Sequence, residues 1–396
     1  GPPHRSPSGG VVIEANELPV FSSPEVMVDA LAPDQPIFCF RPQAVREMAQ
    51  VFLQHFPGKV LYAVKCNPGR HMLAALNASG IGHFDTASLA EVELVSGLLP
   101  SAQCYFMHPV KARAAIYRAY QGHGVRHFVV DHSAELTKLI DVIPPSRNVV
   151  VVVRLAIEHG GAIYELSSKF GADIGAAVEL VRAADQLGYA TGLAFHVGSQ
   201  CVDAQAYRLG LEMVNNVVEQ TSVAPACIDV GGGFPGDYVN SPIPTIVPFL
   251  ELIDQTYREI QMPTDCELLC EPGRALCMHG ESLVLQVHLR KNDMIYLNDG
   301  MYGAMIEEKL GLRMPVRVVE SRPFSDMVQA FKVFGPTCDA LDVYPAPLDL
   351  PSDIREGDWI EFQRIGAYGA ACQTAFNGFF SDTVVVIESD DGVRVI

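Results

Sequence analysis

Nowhere in the 396 residues do 18 uninterrupted apolar residues occur, so no stretch qualifies as a transmembrane helix. The opening GPPHRSPSGG lacks the basic start and apolar core of a secretory signal. It reads instead as a tag remnant and disordered lead-in over 1–10, expected to lie outside the fold. Positive charge is scarce: 28 Lys and Arg face 46 Asp and Glu, a net of -18. Nucleic acid and anionic membranes need clustered basic residues, so neither is expected as a partner, whereas a cationic small molecule suits such a surface. Zinc-type spacings are missing as well. Cys266, Cys270 and Cys277 lie near one another, but without two-residue gaps or a following His pair, so no metal is expected. The ten cysteines are spread along the chain, which fits buried, reduced thiols and a cytoplasmic location. Neither a GxxxxGK[ST] loop nor a GxGxxG turn is present, which makes a nucleotide phosphate a poor guest.

With 49% apolar residues the chain can build a large core, and its length exceeds what one core usually serves. Two domains are therefore expected. Over 36–274 a short apolar run followed by a stretch of helical spacing recurs eight times. The runs are VLYAV, HFDTAS, CYFMHP, HFVVDH, VVVVRLA, GLAFHVGS, CIDVGGG and ELLCEPGR. Strands buried on both faces read as continuous apolar runs, and eight strand–helix units in this length predict an α/β fold, a (β/α)8 TIM-like barrel. An open doubly wound sheet is the competing layout. The barrel is preferred because polar and glycine residues gather at the C-terminal end of almost every run, and in a barrel those ends meet at one mouth. After 275 the runs become short and β-like, predicting a mostly β domain from 275–396 together with 11–35, where VVIEA is a candidate strand.

Several strand ends carry residues with chemical potential. Lys65 closes the run YAVKCN, where packing of its stem and partial desolvation would favour the neutral amine that a Schiff base requires. Read alone, a solvated lysine at a strand end is the better reading. Gly231, Gly232 and Gly233 would let backbone N–H groups approach an anion, with Arg274, Ser199 and Tyr368 as further donors. Glu271 could hold a heterocyclic nitrogen protonated, or it could simply pair with Arg274. His196 could stack on a flat ring, or be an ordinary core histidine.

YAVKCN, FDTASLAE, VVVRLA, FHVGSQ, DVGGGFPG, CEPGR, NDGMYG, GPTCDALD, GAYGAA and FNGF occur in this order over about 320 residues. Together they resemble the ornithine, lysine, arginine and diaminopimelate decarboxylases, whose barrel is of the alanine racemase type. The resemblance implies pyridoxal phosphate as cofactor, held covalently by Lys65, with Glu271 at its ring nitrogen and His196 stacked on its ring. It implies that Asp85, Glu91 and Arg154 surround the ring, and that Ser199, Gly233, Gly273, Arg274 and Tyr368 grip the phosphate. Cys338 resembles the cysteine that returns a proton to the substrate α-carbon. In this family the partner subunit supplies it, which implies a homodimer with shared active sites.

Asp339 resembles the aspartate that takes the distal ammonium of ornithine or lysine, and Tyr302 and Phe376 complete the implied substrate site. The chain departs from the pattern after the GxYG motif. Many eukaryotic ornithine decarboxylases have a Tyr-Asp pair there, where this chain reads EEKLGLR, leaving Glu307 or Glu308 as substitutes or as solvated residues. The implied activity is decarboxylation of ornithine and/or lysine to the diamine. The alternatives are action on arginine, diaminopimelate or a specialised precursor, racemisation, and a regulatory homologue without activity.

Overall fold

The computed structural model describes residues 17–157 and 169–388. The candidate strand VVIEA and the lead-in at 1–10 lie outside the described residues. Two short strands open the described chain, β1 (Val20–Phe21) and β2 (Ile37–Phe40). Eight parallel strands follow: β3 (Lys59–Ala63), β4 (His83–Thr86), β5 (Gln103–Phe106), β6 (His127–Val130), β7 (Val150–Leu155), β8 (Ala190–Phe195), β9 (Cys227–Asp229) and β10 (Glu267–Cys270). Each pairs with the next, and β10 returns to β3, so the sheet closes into the expected barrel.

Local sequence explains the alternation of strand and helix. The strand β7 is VVVVRL, β-branched and buried along almost its whole length. The helix Ile174–Leu187 begins where the Asp173 side chain accepts from Ala176 N at 2.7 Å and ends at Gly188, in the left-handed region at φ 104°. The helix Leu89–Leu98 starts with Ser88 accepting from Glu91 N, while the Glu91 carboxylate accepts from Ala87 N at 2.8 Å. Helices of this kind cover the outer faces of the strands with one continuous core.

Inside the ring a second apolar layer forms from Leu61, Tyr105, Met107, Val129, Val152, Ala194, Cys227 and Leu269. Strand side chains alternate between faces, so the residues two positions further on share this inner face: Arg154 after Val152, His196 after Ala194, Asp229 after Cys227 and Glu271 after Leu269. The opposite, N-terminal end is filled by His83, Tyr105 and His127, with the Tyr105 hydroxyl 2.9 Å from His83 Nδ1. Burial there pushes His127 down to about 4. Chemistry is thereby confined to the C-terminal mouth.

The remaining strands are β11 (Glu281–Lys291), β12 (Met294–Leu297), β13 (Val316–Val318), β14 (Val328–Phe334), β15 (Leu348–Pro351), β16 (Trp359–Phe362) and β17 (Val384–Ile387). With β1 and β2 they make a nine-stranded sheet among the described residues. The start of the barrel differs from the sequence expectation. Ile37–Phe40, assigned there to the barrel stretch, is a central strand of the second sheet, antiparallel to β11 and parallel to β17. Four consecutive buried apolar residues suit either setting, so the run IFCF alone does not choose between them. No helix among the described residues is long and apolar enough to cross a membrane.

A buried carboxylate ties this sheet together. Glu361 on β16 accepts from Arg41 at 2.9 Å, Arg317 at 2.8 Å and the Ser282 hydroxyl at 2.6 Å. Burial alone would raise its pKa, but Arg41, Ser282 and Arg317 outweigh it and hold the carboxyl below the ordinary glutamate value. Glu361→Ala leaves the Arg41 guanidinium without its counter-ion and Arg317 with Glu25 alone, and should cost about 3–5 kcal/mol, read as a lower urea midpoint. Because the folded pKa is depressed, this contribution should be complete above about pH 4.5 and fade as pH falls through the folded value.

Candidate active site

At the C-terminal mouth lies a cavity of about 540 Å³. The wall includes Lys65, Asp85, Glu91, Arg154, His196, Ser199, Gly232, Gly233, Glu271, Gly273, Arg274, Glu307 and Tyr368, so residues spread over three hundred positions of sequence converge on one space. Lys65 follows β3 in a 3-10 turn, Val64–Cys66, and is exposed at the mouth. Packing therefore does not hold its stem as the sequence suggested.

One side of the cavity is acidic. Burial pushes Glu271 well above the ordinary carboxylate range, and the neighbouring Asp229 adds to the effect. Asp85 is raised in the same way by burial and by Glu271, and Asp229 is raised by its own burial. Crowded, desolvated carboxylates resist ionising together, which favours their protonated forms. Arg154 faces this group across the cavity, its guanidinium 5.4 Å from the Phe170 ring centre. Asp229 was not anticipated from sequence. The available signal was its place on the inner face of β9, immediately before the glycines. Phe170 and His108, in edge contact at 5.3 Å, also line the cavity, and Phe170 carries no periodic signal because it lies outside the strands.

The other side is an anion cradle. Gly231 and Gly233 adopt φ 69° and 79°, in the left-handed region open to glycine. A Cβ on Gly233 would lie 2.1 Å from the Gly198 carbonyl oxygen. Their carbonyls are pinned by Glu271 N and Cys201 N, and that of Gly232 by the Tyr207 hydroxyl, all at 2.8 Å. Gly231 itself bonds Asp229 through its N–H and is a hinge behind the wall. Arg274 is buried at 4% exposure and donates to Ser199 Oγ at 3.2 Å and to Tyr238 Oη at 2.6 Å. Its Nε, also buried, has no hydrogen-bond partner among the described residues. A buried donor without a partner beside a glycine cradle fits a phosphate group.

His196 forms the floor between these sides. Gly198 N donates to its Nδ1 at 2.9 Å, so a neutral ring carries its proton on Nε2. Burial, reinforced by Arg154 and Lys65, lowers its pKa well below the usual value. A flat, uncharged ring results.

One expectation needs correction: neither Glu307 nor Glu308 is solvated. Glu307 does line the cavity, but its carboxylate is engaged by Arg274 at 2.5 and 2.8 Å. Glu308 is not on the cavity wall: it turns toward Arg313 and accepts from Met314 N. Cys338, Asp339, Tyr302 and Phe376 do not line the cavity of this copy of the chain. They form their own cluster, with Tyr302 and Phe376 rings 4.7 Å apart, Cys338 exposed and its N–H bonded to Asn377, and Asp339 beside the Tyr302 hydroxyl. No group of His, Cys, Asp and Glu that could hold a metal ion occurs among the described residues.

A closed barrel whose mouth joins a lysine, buried carboxylates, a neutral imidazole and a phosphate cradle defines an enzyme built around an aromatic phosphate cofactor with an aldehyde. Comparison with known proteins names the class. Residues 43–278 match the pyridoxal-binding domain of the pyridoxal-dependent decarboxylases, and residues 279–366 match their C-terminal sheet domain. Over 356 residues the chain is 31% identical to decarboxylase flvG of Aspergillus flavus, covering 84% of this chain and 81% of that protein. It is 30% identical to the lysine/ornithine decarboxylase of Selenomonas ruminantium, covering 87% of each. Among solved structures it resembles the agmatine-bound arginine decarboxylase of Paramecium bursaria Chlorella virus, with TM-score 0.82, 26% identity, and 91% of this chain and 98% of that one covered. The chain belongs to the pyridoxal-dependent decarboxylase family that acts on basic amino acids, and it is a carboxy-lyase dependent on pyridoxal phosphate.

Because His196 is buried uncharged, its ring should not titrate from about pH 5.5 to 8. Nitrogen NMR of histidine-labelled protein, with His196→Phe identifying the signal, checks this: a His196 shift that moves through a midpoint near 6.5 would contradict the assigned environment.

Proposed function

We propose that the chain decarboxylates ornithine and/or lysine, releasing carbon dioxide and the corresponding diamine. The observation that carries this reading is the convergence of Lys65, Glu271, His196 and Arg274 on one cavity at the barrel mouth. In it Lys65 holds the cofactor covalently, Arg274, Ser199, Gly233, Gly273 and Tyr368 hold its phosphate, and Glu271 faces its ring nitrogen. Asp85, Glu91 and Arg154 fix the polar surroundings of the ring. When bound, pyridoxal phosphate supplies an electron-withdrawing ring for the pair left by the departing carboxylate. Glu271 keeps the ring nitrogen protonated, and Asp229 and Asp85 hold that proton in place. His196 presents a neutral face that does not compete for it.

The missing acid and the substrate's distal anchor come from a second copy. Cys338, Asp339, Tyr302 and Phe376 form a cluster that leaves Phe376 40% exposed beside Leu341, Phe379 and Phe380, at 63%, 45% and 48%. Large apolar side chains grouped on a surface mark a contact face. In a homodimer that face closes the neighbouring cavity, Cys338 returns a proton to the α-carbon, and Asp339 pairs the distal ammonium. Substrates lacking that charge would leave a buried carboxylate unpaired, a strong penalty. The acidic composition favours cationic amino acids in the encounter. Turnover on substrate in the cytoplasm fits the reduced thiols.

Steady-state carbon dioxide release should be fastest with ornithine or lysine and at least tenfold slower with arginine and diaminopimelate, by the cost of an ill-fitting cation. Lys65→Ala should be colourless and inactive. Highest turnover on arginine would overturn the substrate reading, and α-epimerisation without gas would overturn decarboxylation. Sharing of the site has its own check. Lys65→Ala and Cys338→Ala proteins, each impaired alone, should on mixing regain up to roughly a quarter of wild-type activity, since half of randomly paired dimers carry one intact site. No recovery, with subunit exchange verified, would place Cys338 in its own chain's site.

A further inference from the structure

The family reading gives Arg274 to the cofactor phosphate, yet the donor count at Arg274 leaves little for a phosphate to take. A guanidinium has five N–H groups, two on each terminal nitrogen and one on Nε. Nη1 donates to Tyr238 Oη at 2.6 Å and to Glu307 Oε1 at 2.5 Å. Nη2 donates to Ser199 Oγ at 3.2 Å and to Glu307 Oε2 at 2.8 Å. Both terminal nitrogens are thus fully committed, and the Glu307 carboxylate occupies the two-pronged face that suits a phosphate.

Glu307 and Arg274 are both buried, at 3% and 4% exposure, and the carboxylate opens on the cavity wall beside Ser199, Gly233 and Gly273. The helix carrying it is a single turn, Ile306–Lys309, so no long rigid element fixes its side chain. A phosphate arriving at this cradle brings two negative charges to within contact of a third. In a buried site that repulsion is poorly screened. Tyr238 and Ser199 are neutral and can stay; the anionic occupant cannot keep its face of the guanidinium.

We propose that Glu307 is an exchangeable counter-ion for Arg274, which the phosphate of pyridoxal phosphate displaces on binding, so that this carboxylate weakens and slows cofactor loading. The inference rests on the reading that Arg274 holds the phosphate. It makes the protein stable without cofactor, because the buried guanidinium never lacks a partner, at the cost of affinity when cofactor arrives. A carboxylate that merely positioned Arg274 would have the opposite effect on binding.

The test is a titration of the cofactor-free protein with pyridoxal phosphate, followed by equilibrium dialysis and by the visible absorbance of the bound cofactor. Glu307→Gln should bind it roughly tenfold more tightly than wild type, a difference of about 1.4 kcal/mol. Pyridoxal, which has the aldehyde but no phosphate, should bind both proteins equally. The cofactor-free variant should melt at lower temperature than wild type, and gain more on adding pyridoxal phosphate or inorganic phosphate. Unchanged or weaker affinity of Glu307→Gln for pyridoxal phosphate would overturn the proposal and make Glu307 a positioning residue. Should that variant fail to fold, Glu307→Asp, which keeps the charge but shortens its reach, should also tighten binding, and an unchanged or weaker constant there would overturn it equally. If Arg274→Met keeps the wild-type preference for pyridoxal phosphate over pyridoxal, the phosphate assignment of Arg274 itself falls.

Discussion

Closure of the barrel between β10 and β3 is the contact on which the site depends. Cys270 lies in register with Val60, and the contact continues past the strands, where Ala63 N donates to the Pro272 carbonyl at 3.0 Å. That join sets Glu271, Gly273 and Arg274 beside Lys65, which stands more than two hundred positions earlier. It demands a close approach at Gly58, where a Cβ would fall 2.0 Å from the Leu268 carbonyl oxygen. An open sheet of the same strands would keep its first and last members at opposite edges, with the lysine and the glutamate far apart. Ring closure is therefore a chemical requirement as well as a way of hiding sheet edges.

Within the ring, alternation of side chains does the sorting. The same parity that buries Val152, Ala194, Cys227 and Leu269 sends Arg154, His196 and Glu271 to the mouth, with Asp229 buried behind them. This gathers like charges in a place with little water, and the raised carboxylates Asp85, Asp229 and Glu271 are the consequence. On the proposed reading, a positively charged ring nitrogen beside Glu271 would relieve that crowding. The imidazole of His196 must stay neutral in this arrangement, because Arg154 and Lys65 already supply the positive charge and burial penalises more.

Much of this was legible in the chain itself. The eight apolar runs, the polar strand ends and the glycine triplet map onto the barrel and its mouth, because period-two burial and turn chemistry are local signals. What failed was information held between distant segments. IFCF reads alike as a barrel strand or a central sheet strand until its neighbours β11 and β17 are known. Glu307 and Glu308 are adjacent and chemically identical, yet one faces Arg274 and the other Arg313, a choice made by the turn Ile306–Lys309 and not by composition. The lysine stem at Lys65 looked packed from its strand, but the 3-10 turn releases it into the mouth. Phe170 has no pattern at all around it.

The substrate end of the cavity follows from what its wall lacks. Near Glu307 the segment contributes Ile306 and Leu310, and the opposite side contributes Phe170 and Met107, a largely apolar lining. Such a surface accommodates the methylene chain of a basic amino acid but offers nothing to its terminal cation. Of the acidic groups that line the cavity, Glu307 is paired with Arg274, Glu91 accepts from Ala87 N, and Asp85 and Glu271 are buried against one another. A cation desolvated against this apolar wall needs a counter-charge, since burial without one is prohibitive. The chain carries a suitable aspartate, Asp339, on a separate surface cluster with Tyr302 and Phe376. On the proposed reading, that surface aspartate would supply the counter-charge to the cavity of a second copy. On this argument assembly would create the substrate site, while the cofactor site is already complete within one chain.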